Sequence, residues 1–200
     1  MIDEAFDTST IDSYVQHCLP FSDEEIKIFH SLLQYKIVKK KSFLLQQGEV
    51  CEFEAFIKKG CIKTYYIDDK GLEVILYFAI ENWWIGDIES FVSQASSALF
   101  IEALEDSEIF YINYSNKEKL FKEVPKFERM FRLMTQRALS VIQHRLIDTI
   151  SKTTDERYLN FLKRYPQIPQ RVAQHQIASY LGVTPEFLSK IRAKLAKHDI

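Results

Sequence analysis

The chemistry on offer in this sequence is concentrated on one polar, basic helical face. In "TPEFLSKIRAKLAKHDI", Glu186, Ser189, Lys190, Ala193 and Lys197 recur at three- and four-residue intervals, with Arg192 and Lys194 on the flanks. Small, polar and cationic groups in that pattern suit hydrogen bonds to base edges and charge-assisted bonds to phosphate oxygens. Nothing comparable points to catalysis. No nucleophile elbow, P-loop or HExxH pattern occurs, so no catalytic residue and no enzymatic activity is expected. Cys18, Cys51 and Cys61 are scattered without CxxC spacing, which argues against a disulfide framework, structural zinc or a four-cysteine cluster. His17, His30, His144, His175 and His198 lack metal-ligand spacing, and no metal or cofactor is expected.

The basic face needs a platform, and residues 171–200 supply one as two short helices joined by a tight turn. Ile177 and Leu181 share a face of the first helix. Gly182 tolerates the left-handed conformation at which that helix must stop. Thr184 then caps the second helix, and Pro185 takes its first turn, where a missing N–H costs nothing. Leu188, Ile191 and Leu195 form the inward stripe, and the small Ala178 lets the helices cross closely. This is a helix-turn-helix pattern, whose second helix enters the DNA major groove. The candidate DNA contacts are Gln174, Thr184, Pro185, Glu186, Ser189, Lys190, Arg192 and Lys194. The plainer alternatives are an ordinary helical hairpin and a Glu186–Lys190 surface ion pair.

Charge distribution falls on the same side. The net charge of −2 conceals a division. Residues 1–125 carry 12 Lys/Arg against 22 Asp/Glu, a balance of −10, and residues 126–200 carry 14 against 6, a balance of +8. A basic C-terminal third fits a nucleic-acid partner, while the acidic front must sit away from it. With 46% hydrophobic and 27% charged residues the chain is expected to be globular. No apolar run approaches the ~20 residues of a membrane span, and the acidic start "MIDEAFDTSTIDSYV" has no apolar h-region. The expected compartment is the cytoplasm, without membrane attachment.

In chain order, residues 1–35 are predicted to be mainly helical, with Ser22 and Glu25 forming a capping box ahead of Ile26, Phe29, Leu32 and Leu33. Residues 36–112 read as short strands rich in aromatic and branched residues, with glycines 48, 60, 71 and 86 at turn spacing and "DDKG" at 68–71 as a hairpin signal. They imply a β-sandwich, barrel or jelly roll. A short helix at 115–124 precedes a long one that Pro125 starts and that runs to about 151. The apolar positions of the long helix include Phe127, Met130, Phe131, Met134, Ala138, Val141, Ile142 and Ile150. Such a surface suits either a two-helix coil between subunits or burial within one chain. "TTDERYLNFLKRYP" is a further capped helix, and "YPQIPQ" connects it to the helix-turn-helix.

The order of strands, long helix and helix-turn-helix resembles the cyclic-AMP receptor and Fnr (Crp/Fnr) family of bacterial transcription regulators. The segments that carry the resemblance are "IASYLGVTPEFLSKIRAKL", "GEV" at 48–50, "KKGCIKTYYIDDKGLEVILYF" and "ALEDSEI" at 103–109. It implies an α+β fold with three parts. These are an N-terminal β-roll (double-stranded β-helix, cyclic-nucleotide-binding-like), a long dimerisation helix and a C-terminal helix-turn-helix (winged-helix-like) domain. The expected divisions are 1–125, 126–151 and 152–200. A homodimer on double-stranded DNA is implied, with RNA polymerase and a small-molecule effector as candidate partners.

In that family the sensor segment begins with Gly-Glu and ends about ten residues on with Arg-Ser-Ala or a variant, the glutamate binding ribose and the arginine the cyclic phosphate. The matching positions here are Gly86-Asp87 and Ser97-Ala98-Leu99, so the arginine is missing, and no Lys or Arg occurs from 71 to 116. A buried phosphate without a cation is costly, and Asp87 and Glu89 add repulsion. Cyclic AMP is therefore expected to bind poorly or not at all. Any effector pocket would draw on Gly86, Asp87, Ile88, Ser97, Ala98, Ile142 and Gln143. Trp83, Trp84, Phe91 and Phe100 border the segment, either as core or as the wall of an apolar pocket. The N-terminal cysteine group of iron–sulfur-sensing members is lacking. The chain ends at Ile200, where members continue into a β-wing, so some phosphate contacts are expected to be missing. Family base contacts map onto Pro185, Glu186 and Lys190. Glu186 and Lys190 keep the chemistry for cytosine and guanine, and Pro185 does not. The sequence thus points to a DNA-binding transcription regulator independent of cyclic AMP. The alternatives are a cyclic-nucleotide-responsive activator or a ligand-binding module that has lost DNA binding.

Overall fold

Period-two alternation of apolar residues builds eight strands, which the computed structural model, describing residues 6–196, gathers into two antiparallel four-stranded sheets. The strands are β1 (Gln34–Val38), β2 (Phe43–Leu45), β3 (Phe53–Lys59), β4 (Ile62–Ile67), β5 (Glu73–Ala79), β6 (Trp84–Ile85), β7 (Phe100–Ala103) and β8 (Ser107–Asn113). One sheet has the order β1-β8-β3-β6 and the other β2-β7-β4-β5, so each draws on both ends of the segment, as a β-roll does. The "DDKG" hairpin joins β4 to β5, with the Gly71 N–H donating to the Asp68 carbonyl and the Asp68 side chain accepting from the Lys70 and Leu72 N–H groups. Gly60 turns β3 into β4 at φ +119°, and a Cβ there would meet Ser107 Oγ at 2.1 Å, so only glycine fits.

Both sheets use both faces. Ala55, Ile57, Ile62, Ala79, Ile85, Ile101 and Ile109 point into the roll and form its core. Phe56, Phe110 and Ile112, on the opposite face of the first sheet, pack against four helices. These are α1 (Ser9–Cys18), α2 (Asp23–Leu32), α4 (Tyr114–Glu123) and the start of α5 (Lys126–Ser151). Serine 22 and Glu25 cap α2 reciprocally, as their spacing predicts. Phe29 and Phe127, both fully buried, stack with ring centroids 4.6 Å apart. Each such burial is worth about 1.5–3 kcal/mol. On the outer face of the second sheet, Tyr65, Ile75 and Phe78 belong to the same cluster as the C-terminal helices. The β-roll therefore stands between an N-terminal helical cap and the helix-turn-helix.

Burial along α5 argues against one of the two readings of the long helix. Phe127, Met130 and Phe131 are buried. Beyond Met134 the helix's apolar side chains leave the core of the chain, and Leu139, Val141, Ile142, Leu146, Ile147 and Ile150 are 43–77% exposed. It is not wholly buried within one chain. Helix α6 (Thr154–Arg164) follows, capped by Thr153 and Glu156, and a 3-10 turn at Ile168–Gln170 leads into α7 (Gln174–Leu181) and α8 (Pro185–Ala196). No helix of the described residues is long and apolar enough to cross a membrane.

Candidate nucleic-acid interface

The exposed face of α8 is set by what its other side buries. Ile177, Ala178 and Leu181 of α7 and Leu188 and Ile191 of α8 are buried together, and Leu195 is partly so. Gly182 ends α7 at φ +69°, where the Val183 N–H donates to the Ala178 carbonyl at 3.0 Å. Thr184 Oγ1 accepts the Phe187 N–H at 3.2 Å, which fixes where α8 begins. With the inner stripe anchored, Glu186, Ser189, Lys190, Arg192, Ala193 and Lys194 are all exposed, as are Thr184 and Pro185. Lys197 lies outside the described residues.

Four details qualify this face. Among the described residues Glu186 and Lys190 form no ion pair with each other or with a neighbour, which leaves both exposed side chains displayed on this face. The Glu186 carboxyl is held below its ordinary value by its own backbone N–H and the Thr184 hydroxyl, and it is charged at neutral pH. Lys194 is engaged, its Nζ lying 2.6 Å from Asp155 on α6. Gln174 is half-buried, its amide oxygen buried and without a partner among the described residues, so it is not displayed as the others are. Sequence reasoning also overlooked Phe187, which is 47% exposed beside Glu186. The signal was present, because Phe187 falls outside the Leu188–Ile191–Leu195 stripe, and an exposed aromatic can pack against a thymine methyl.

Three side chains fasten this unit to the second sheet, and none was anticipated. Ser179 on α7 donates to the Glu73 carbonyl at 2.6 Å and accepts the Ile75 N–H at 3.1 Å, satisfying the free edge of β5. Arg145 on α5 donates to the carbonyls of Leu76, Ile75 and Tyr180, and its guanidinium lies 4.1 Å from the Tyr180 ring centre. Arg171 grips Glu81 with both terminal nitrogens, at 2.7 and 2.9 Å, and also pairs with Glu105. Burial pushes the Glu81 carboxyl up, but Arg171 and the Gly60 N–H outweigh it and leave it below the usual range.

At the second candidate site, in the roll, the polar side chains bond to one another. Asp87 caps the short helix α3 (Ile88–Ser93), accepting the N–H groups of Glu89 at 3.1 Å and Ser90 at 3.3 Å. Ser97 donates to the same carboxylate at 2.6 Å, and both residues are buried. Cys51 joins the knot through its N–H to Ser90 Oγ at 2.9 Å, and Tyr77 donates to the Gly86 carbonyl at 3.1 Å. The two ends of the segment are thus brought together, with a carboxylate rather than a cation at the centre. Ile88 and Ala98 are exposed on its rim, and Ile142 and Gln143 are exposed on α5. The bordering aromatics pack in different directions. Trp84 lies against Phe56 and Phe131, Trp83 against Tyr165, Phe100 on Tyr65, and Phe91 inside the roll. They are core, not the wall of a single pocket.

Comparison with known proteins agrees with this architecture. The profile of the cyclic nucleotide-binding domain family matches residues 35–124. The chain is similar to the transcriptional activator protein Anr of Pseudomonas protegens, with 23% identity over 197 residues that cover 92% of this chain and 80% of that protein. Among solved structures it is similar to FixK2 from Bradyrhizobium japonicum, with a TM-score of 0.74, 20% identity, and 84% and 86% of the two chains covered. It is also similar to a transcriptional regulator of the crp/fnr family from Eubacterium rectale, with a TM-score of 0.67, 18% identity, and 91% and 88% covered.

Proposed function

We propose that the chain is a Crp/Fnr-type regulator, a dimeric DNA-binding transcription factor whose sensor roll does not answer to cyclic AMP; its similarity to Anr and to regulators of that family over most of its length supports the reading. The observation that carries the reading is the displayed face of α8. Glu186, Ser189, Lys190 and Arg192 are exposed on a helix whose other side is anchored by Leu188 and Ile191. The expected roles divide along the chain, with residues 1–125 as sensor, 126–151 as the dimer helix and 152–200 as the DNA reader. The unburied seam of α5 supplies the two-fold axis by pairing with its twin.

In the roll, Ser97 donates to the buried Asp87 carboxylate, and this contact, at the positions that the resemblance matches to the family's phosphate-binding segment, supports the reading. Bringing a phosphate there would set it against a buried carboxylate. The regulator acts where chromosomal DNA is, in the cytoplasm, with RNA polymerase as a partner and an effector other than cyclic AMP. The test is a titration of purified protein with duplex DNA, with and without cyclic AMP, beside calorimetry with cyclic AMP alone. Salt-dependent duplex binding that cyclic AMP leaves unchanged is the expected result. A submicromolar cyclic AMP dissociation constant, or no duplex binding at low salt, would overturn it.

A further inference from the structure

We propose that the crevice between α5, α6 and α7 binds a small oxyanion, a phosphate or carboxylate group, and that this is where an effector acts on the DNA-reading unit. The effector role rests on the regulator reading above; the binding does not. The crevice is a half-open cleft with room of about 40 Å³. At roughly 10–15 Å³ per water this is room for about three waters, enough for a single oxyanion group. Arg145, Arg157 and Arg164 all line it, against one carboxylate, Asp148. That carboxylate is already taken up, by Lys152 at 2.8 Å and Asn160 at 3.1 Å.

Arg164 lies close enough to Asp148 to help hold its carboxyl below the ordinary value, whereas Arg145 and Arg157 have no acidic partner among the described residues. The partners of Arg145 are backbone carbonyls, which satisfy its donors without neutralising its charge. Arg157 donates from Nη2 to Thr154 Oγ1 at 3.2 Å, while its Nε is buried with no acceptor among the described residues. A buried donor left unmade is unfavourable, and an anion is the partner that would satisfy it. Tyr180 forms part of the wall. Burial pushes its phenol up to about 12, so it remains a donor at neutral pH. Position gives the site its consequence. One ligand there touches the seam helix α5, the capped helix α6 and α7 of the reader, and Arg145 extends the contact to β5. Any difference in affinity between two placements of the reader becomes a shift between them.

The test uses the full chain at constant ionic strength, with inorganic phosphate and acetate as separate probes in calorimetry without DNA. Saturable binding of either is expected, phosphate alone marking a phosphate site and acetate a carboxylate site. Arg164→Ala, at an exposed position, and Arg157→Gln should each weaken it at least tenfold, and Lys190→Ala should leave it unchanged. Circular dichroism of the variants checks that they are folded. No saturable binding, or binding lost in Lys190→Ala and kept in Arg164→Ala, overturns the site. For the effector role, the saturating probe should change duplex affinity at least threefold in the unsubstituted protein and not in Arg164→Ala. An unchanged affinity overturns that role even if the anion binds. A protein that binds phosphate but no duplex at all would instead sink the regulator reading.

Discussion

Lysine 190 and Lys194 sit one turn apart on α8 and meet different surroundings. Lys190 is exposed and has no ion pair among the described residues, and Lys194 is held by Asp155. Lys190→Ala should therefore cost about 1–3 kcal/mol at the preferred duplex and relax one base position in each half-site. Lys194→Ala should weaken all sequences alike, because a lysine at the edge of the face meets phosphate. The Asp155 contact adds a further expectation: Asp155→Asn frees Lys194 and should strengthen binding to every sequence, with a salt dependence steeper by about one ion. Anisotropy titrations over several duplexes and salt concentrations separate these outcomes. If Lys190→Ala acts equally on all sequences, Lys190 is a phosphate contact and the face is rotated from the one described. At this scale the sequence is informative where the contact is local. Thr184, Gly182 and the Ser22–Glu25 box act within three or four residues, and each does so as its spacing implies. The Lys194–Asp155 pair spans 39 residues, and no spacing rule reaches it.

Helices and strands were legible through their periods, and their docking was not. Branched and aromatic runs bounded by glycine mark the strands, and the apolar positions of α5 mark a helix from 126 to 151. The same pattern could not say whether that apolar surface was covered by its own chain, since the answer lies in what packs against it. With Ile142 and Leu146 at 62% and 59% exposure, Ile142→Glu with Leu146→Glu should turn a dimer into a monomer at micromolar concentration. Light scattering reads this directly, and an unsubstituted protein that is already monomeric would contradict it. The clamp of Arg171 on Glu81 and Glu105 joins residues 66 and 90 positions apart, beyond any periodicity. Arg171→Ala should destabilise the docking of the reader by about 1–2 kcal/mol, the pair being only partly buried. Hydrogen exchange should then rise in α7 before it rises in the roll. Because the folded Glu81 carboxyl lies below its ordinary value, its contribution is present above the usual carboxylate range and is lost as pH falls through the depressed value. Acid titration of the unsubstituted protein should accordingly release α7 first, and Arg171→Ala should remove that pH dependence.

The whole molecule separates its charge as it separates its tasks. On the proposed reading, the balance of +8 over residues 126–200 suits a polyanion, and −10 over residues 1–125 would keep the roll away from it. A two-fold axis along the α5 seam would set two copies of α8 in successive major grooves about 34 Å apart. Affinity then depends on both copies at once, so a half-site alone should bind far more weakly than the full site. The central claim is tested most directly by selecting binding sites from random duplex DNA with the purified full chain at stated salt. The predicted result is a near-palindrome whose half-sites lie roughly one helical turn apart, 10–10.5 base pairs centre to centre. Enrichment of no sequence, or of a single asymmetric half-site with no second copy in register, would contradict it.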